Sequence, residues 1–96
     1  MINTEDIDVG GKKAQGVVIE LPEAPMVLAL GSKGYLVCGY MNLEAGEKFG
    51  ACCAVVHGVR TVQDILDGKV AAVSSKAKAL GVSEGMSGRD AIARFV

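Results

Sequence analysis

Tryptophan is absent, and two tyrosines and two phenylalanines are the whole aromatic complement of the 96-residue chain. An interior so poor in rings is built from Val, Leu, Ile, Ala and Met, and base stacking on aromatic platforms has little to use. An excess of positive charge is also missing, since ten basic residues intermix with eleven acidic ones for a formal net charge of -1. No segment carries a basic stripe, which sets nucleic-acid binding aside. Apolar runs fall well short of the ~20 residues of a membrane span. Met1 to Val9 is polar and acidic, unlike a secretory signal. A soluble, cytoplasmic protein with no membrane partner is therefore expected. The three cysteines, Cys38, Cys52 and Cys53, are odd in number and include an adjacent pair. They do not form a disulfide framework and are expected as thiols.

Glycine, by contrast, is plentiful, with 13 residues spread along the chain without a repeat period. That distribution points to turns and close packing. Ile7-Asp8-Val9, Gly10-Gly11 and a run ending in Val17-Val18-Ile19-Glu20-Leu21 predict a hairpin whose turn has positive φ. Pro22 and Pro25 then break the chain. Met26 to Leu30 and Tyr35 to Met41 are continuous apolar runs joined by Gly31-Ser32-Lys33-Gly34. They predict a second hairpin with both faces covered. Asn42 is placed to cap a helix from Leu43 to about Cys53, which Gly46 and Gly50 weaken by roughly 1 kcal/mol each. Ala54 to Gly58 reads as a strand, Thr61 to Asp67 as a short helix ended by Gly68. Val70, Val73, Ala77 and Leu80 recur at helical spacing with Gly81 as a stop, although a strand beginning at Val70 is the rival reading. A last helix starts at Ser87 and buries Ala91, Ile92 and Phe95. One α+β domain over 1–96 is expected, with an antiparallel sheet of four or five strands and three or four helices. Two continuous apolar strands exceed what one helical layer hides, so a homo-oligomer is also expected.

Two stretches share a layout that points to chemistry: Gly58-Val59-Arg60-Thr61-Val62-Gln63-Asp64 and Gly85-Met86-Ser87-Gly88-Arg89-Asp90. In each a hydroxyl residue is followed three positions later by an acid, the spacing of a capping box. An arginine stands beside each cap. Helix N-termini attract anions, and a guanidinium adds a planar donor fork. Arg60 and Arg89, with Thr61, Ser87 and Gly88, are the expected binding residues for a small anionic metabolite, near Cys38-Gly39. The competing reading is structural, because Asp64 and Asp90 already satisfy the helix dipoles and would repel an anion.

Other constellations are less complete. Cys38 and His57 are a nucleophile and a base by type, giving a thiol enzyme as one alternative. Yet Cys38 sits in an apolar run, where a thiol is normally inert. A metal site from Cys38, Cys52, Cys53 and His57 lacks ligand spacing, so no metal and no cofactor is expected. Neither a phosphate-binding loop nor a dinucleotide fingerprint occurs. Ser75 and Lys78 match a bare S-x-x-K tetrapeptide without its companion motifs. Tyr35, Tyr40 and Met41 fit a pocket, an interface or plain strand packing. A non-catalytic structural or interaction module is the other alternative, and whether the protein is an enzyme stays open at this level.

Gly34-Tyr35-Leu36-Val37-Cys38-Gly39-Tyr40, Gly58-Val59-Arg60-Thr61, and Gly81-Val82 followed by Gly85-Met86-Ser87-Gly88-Arg89 give the chain a further likeness. From the central hairpin onward it resembles the YunC-like family of small uncharacterised bacterial and archaeal proteins. The resemblance implies a compact α/β-type domain and brings no mechanism, as the family has no established activity. Its members resemble one another at the Cys-Gly turn and at both arginine turns. The Cys52-Cys53 pair departs from that pattern, which argues against a role for those two thiols.

Overall fold

The computed structural model describes residues 1–39 and 43–96. Asn42, expected as a helix cap, and Tyr40 and Met41 lie outside them. Six strands form one sheet in sequence order: β1 (Ile2–Val9), β2 (Lys12–Ile19), β3 (Met26–Leu30), β4 (Tyr35–Val37), β5 (Cys53–Val55) and β6 (Ala72–Val73). Four helices complete the domain: α1 (Leu43–Lys48), α2 (Val62–Asp67), α3 (Ser75–Ala79) and α4 (Gly88–Phe95). The α+β class is as expected, with one strand more than the upper expectation. The rival strand reading near Val70 is realised as the two-residue β6, ahead of the helix that the same stretch also suggested.

Gly10 and Gly11, at φ 56 and 90, make the two-residue turn that the first hairpin needs. The resulting β1 is longer than its apolar end suggested, with Ile2 paired to Ile19 and Val9 to Lys12. It pairs only with β2 and so forms an open edge. Strands β1 to β4 run as an antiparallel meander. Strand β5 then pairs parallel to β4, with Leu36 opposite Ala54. A parallel neighbour requires a crossover, and α1 supplies it.

Alternation along the strands separates two faces. Val27, Ala29, Leu36 and Ala54 point to the main core, where α2 brings Val62, Ile65 and Leu66, and α4 brings Ala91, Ile92 and Phe95. Val37, Cys53 and Val55 point the other way and are also buried, on the side where α1 packs against β5. Both faces of β4 are therefore covered, as its apolar run predicts, and so are those of β5. On β3 the same expectation fails, because no described helix lies over its second face, with Leu28 half-buried and Leu30 37% exposed.

Glycine sets how closely the helices lie. A Cβ at Gly16 would come 2.6 Å from a Val62 methyl carbon, and one at Gly34 would come 2.5 Å from the Phe95 ring. At Gly88 it would run into the carbonyl oxygen of Ile65. Helix α4 is also fastened at both ends by the main chain. Gly88 N–H donates to Gly68 C=O at 2.8 Å, and Lys33 N–H donates to Phe95 C=O at 2.6 Å.

Helix ends explain two further departures from the sequence reading. Helix α1 stops at Lys48, short of Cys53, because Gly50 takes φ 70 and closes a Schellman motif, with Ala51 N–H donating to Gly46 C=O at 2.9 Å. Gly81 stops α3 the same way at φ 93, as its position predicts. That helix starts later than the Val70 periodicity suggested. Buried Ser74 breaks the run by capping it: its hydroxyl accepts the N–H of Ala77 at 3.3 Å and that of Cys53 at 3.0 Å.

The Gly16–Val62 contact makes a sharp test of this packing. Gly16→Ala overpacks the interface and Val62→Ala hollows it, each at about 1–3 kcal/mol. In the double variant one methyl group takes the space of the other. Its cost, measured by urea denaturation, is expected to fall below the sum of the singles by roughly 1 kcal/mol.

Candidate functional site

Helix α2 begins with the capping pattern that its sequence announces. Thr61 Oγ1 accepts the Asp64 N–H at 3.0 Å. The Asp64 carboxylate reaches back to the N–H of Arg60 at 3.1 Å, one residue before the cap. Gly58, at φ 74, turns the chain from β5 into this start and presents Val59 and Arg60 on the surface beside it. Across from them, Cys38 and Gly39 emerge from the end of β4, and Ala24 and Pro25 lead into β3. These seven residues line a concave pocket of ≈ 340 Å³.

The pocket has a buried floor and an open rim. Cys38 is 3% exposed, and its N–H donates to Val27 C=O at 3.0 Å. Its Sγ accepts the Val27 N–H at 3.3 Å, which fixes the thiol against β3. Arg60 and Gly58 are exposed. Gly39 has a steric duty: a Cβ there would lie 2.7 Å from Nδ1 of His57, so the imidazole rests directly on the glycine at the pocket's edge. Among the described residues the Arg60 side chain has no ion-pair partner, since Arg89–Asp67 is the pair that forms.

The second arginine turn lies elsewhere. Ser87 Oγ accepts the Asp90 N–H at 3.1 Å, so the second cap also forms as spaced. However, Gly88 is locked to Gly68 and Ile65 at the C-terminal end of α2. Arg89 pairs with Asp67 at 3.3 Å, at that same end. Six residues of helix, about 9 Å, separate this end from Arg60. The expected joint site of both arginines thus divides. Arg60, Cys38 and Gly39 share a pocket with Thr61 beside it, while Arg89, Ser87 and Gly88 serve the α2–α4 junction. Local spacing could not reveal this, because Asp67 and Arg89 are 22 residues apart. Sequence reading also passed over Ala24 and Pro25, visible only as a chain break. An X-Pro segment entering a buried strand beside a glycine turn was the available signal.

The other thiols belong to a separate cluster. Burial pushes Cys53 upward from its ordinary pKa, outweighing the hydrogen bonds from Tyr35 and Ser74. Burial likewise raises Cys52 and Tyr35. Raised thiol pKa values make poor nucleophiles. Among the described residues no group of three or more His, Cys, Asp and Glu side chains is placed to hold a metal ion. No described helix is long and apolar enough to cross a membrane.

Comparison with known proteins gives a family and the fold, and adds no activity. Residues 37–95 match the profile of a domain of unknown function, DUF1805. The whole chain aligns at 29% identity with 99% of an uncharacterized protein, YunC, from Bacillus subtilis. It also superposes on a crystal structure of a protein of unknown function from Thermoplasma acidophilum. That match has a TM-score of 0.94 and 36% identity, covering 100% of this chain and 94% of the other.

Two exposed carboxylates couple this surface to pH. The hydroxyl and N–H of Ser75, at 2.7 and 2.8 Å, hold Glu47 below its ordinary 4.5 and tie α1 to α3. Gln63 first and Arg89 second hold Asp67 below 3.8. A carboxyl lowered in the folded state contributes stability above its unfolded pKa and loses it as pH falls through the folded value. Urea midpoints are therefore expected to decline from about pH 5 downward. Glu47→Gln should lower the midpoint at neutral pH and flatten the acid limb, and an unchanged limb would contradict this account.

Proposed function

We propose, from the premise that the chain belongs to the DUF1805 family of domains of unknown function, that it is a cytoplasmic binding domain for a small anionic metabolite, held by Arg60 in the pocket floored by Cys38. The observation that carries this reading is the pocket itself, in which a surface guanidinium borders a recess and has no carboxylate partner among the described residues. A cation with a free donor fork beside a recess can bind a planar or tetrahedral anion by two parallel hydrogen bonds. Gly39 and Gly58 support it by bringing main chain, without side-chain bulk, to the pocket wall. Cys38 acts here as a wall, its sulfur already engaged by the Val27 N–H. Arg89 is assigned to the α2–α4 junction.

Thermal shift with a panel of inorganic and organic anions tests the reading. Arg60→Ala should remove ligand-induced stabilisation while leaving the unliganded melting temperature nearly unchanged, as exposed substitutions usually move stability by less than about 0.5 kcal/mol. Arg89→Ala should preserve the ligand response. A response lost in both variants or in neither would refute the assignment to Arg60.

A second reading follows from the uncovered sheet face, where Val17, Ile19 and Leu28 are half-buried and Ile2 and Leu30 exposed. Contiguous apolar surface of this kind favours self-association as a homo-oligomer. Light scattering at micromolar concentration should then give more than one chain's mass, and Leu30→Glu should return it to the monomer. A monomeric wild-type protein would remove this reading and leave the first untouched.

A further inference from the structure

The pocket differs sharply between rim and interior. Arg60 supplies charge at the exposed edge, whereas Cys38 forms a buried floor and Ala24, Pro25 and Val59 present carbon between them. We infer that the anion is a monocarboxylate with a compact apolar body, an aryl or branched-chain acid, seated with its carboxylate at Arg60 and its body toward Cys38. This rests on the anion-binding reading and narrows it to one chemical class.

Charge sets the first limit. Among the described residues one guanidinium lines the pocket, and the Asp64 carboxylate stands close by, accepting the Arg60 N–H at 3.1 Å. One positive charge next to one fixed negative charge suits a single ligand charge and disfavours a phosphate dianion. Of the nearby backbone donors, Arg60 N–H is committed to Asp64 and Asp64 N–H to Thr61 Oγ1. A carboxylate needs only the two parallel bonds of one guanidinium fork.

The interior sets the second limit. Alanine, proline and valine side chains with a thiol floor offer apolar contact to a ligand body, and Arg60 is the charged side chain among the described lining residues. Size sets the third. A pocket of ≈ 340 Å³ is about twice the ~150 Å³ cavity known to hold benzene. A six-membered ring or a branched four-carbon chain fits together with its carboxylate.

Titration by NMR and calorimetry, using acetate, isovalerate, benzoate, benzyl alcohol, inorganic phosphate and pyrophosphate, separates the possibilities. Affinity is expected to rise from acetate through isovalerate to benzoate, by at least about tenfold across the series. Benzoate should shift the Cys38 and Gly39 amide resonances, benzyl alcohol should bind at least tenfold more weakly, and Arg60→Ala should abolish the benzoate shifts. If phosphate or pyrophosphate binds through Arg60 while benzoate does not, the monocarboxylate assignment falls and anion binding stands. If benzyl alcohol equals benzoate, or none of the six ligands shifts Cys38 and Gly39, both fall together.

Discussion

The positions of α2 and α4 on the main core face depend on how near they can come to backbone. Gly16 and Gly34 remove side-chain bulk beneath Val62 and Phe95, and Gly88 lets α4 start against the Ile65 carbonyl. Two main-chain hydrogen bonds then fix α4 at its ends, one to Gly68 and one from Lys33. With α4 held, α2 has one place to lie, between α4 and strands β2 and β3. That placement aims the start of α2, and so Arg60, at the end of β4. The surface recess is thus a consequence of glycine clearance deep in the packing. Aromatic scarcity fits the same design: among the described residues the interlayer is filled by Val, Ala, Ile, Leu and Phe95.

Much of this architecture was legible in short-range patterns. Gly10-Gly11 specifies its turn, the runs flanking Gly31 to Gly34 specify a hairpin, and Thr61 and Ser87 announce their helices through an acid three residues on. These features are encoded by neighbours in the chain, so spacing reveals them. Beginning β1 at Ile2 was harder, since Asn3, Glu5 and Asp6 do not alternate with apolar residues. As an edge strand, β1 buries only its far end, at Ile7, so its first half has no buried face to impose a period. Ser74 was obscured for another reason: it completes a helix-like stripe in sequence while its hydroxyl satisfies the Cys53 N–H from a different strand. Only the fold brings those two together.

The same division runs through the site. Cys38, Gly39, Arg60 and Thr61 were identifiable by type and by their turns, and the fold does gather them. Arg89 was indistinguishable from Arg60 on local grounds, since both stand beside a capped helix start. What separates them is a tertiary partner: Asp67 closes α2 where α4 begins, and it meets Arg89 there. Equivalent sequence motifs can therefore take unlike duties when opposite ends of one short helix receive them. The Cys52-Cys53 pair gives the complementary lesson. Its departure from the family pattern argued against a role, and Cys53 lies buried beside Tyr35, where desolvation raises its pKa.

Among the described residues, strand β1 leaves a row of backbone donors and acceptors with no neighbour on its outer side. Such an edge invites a second copy to add on, the first step toward fibrils. Here any antiparallel self-pairing centred on the strand's middle would set Glu5 against Glu5 or against Asp6, and like charges face to face oppose that match. The acidic amino-terminal segment thus acts as a selvedge: it finishes the woven sheet on that side and keeps an otherwise sticky border from unravelling into aggregates.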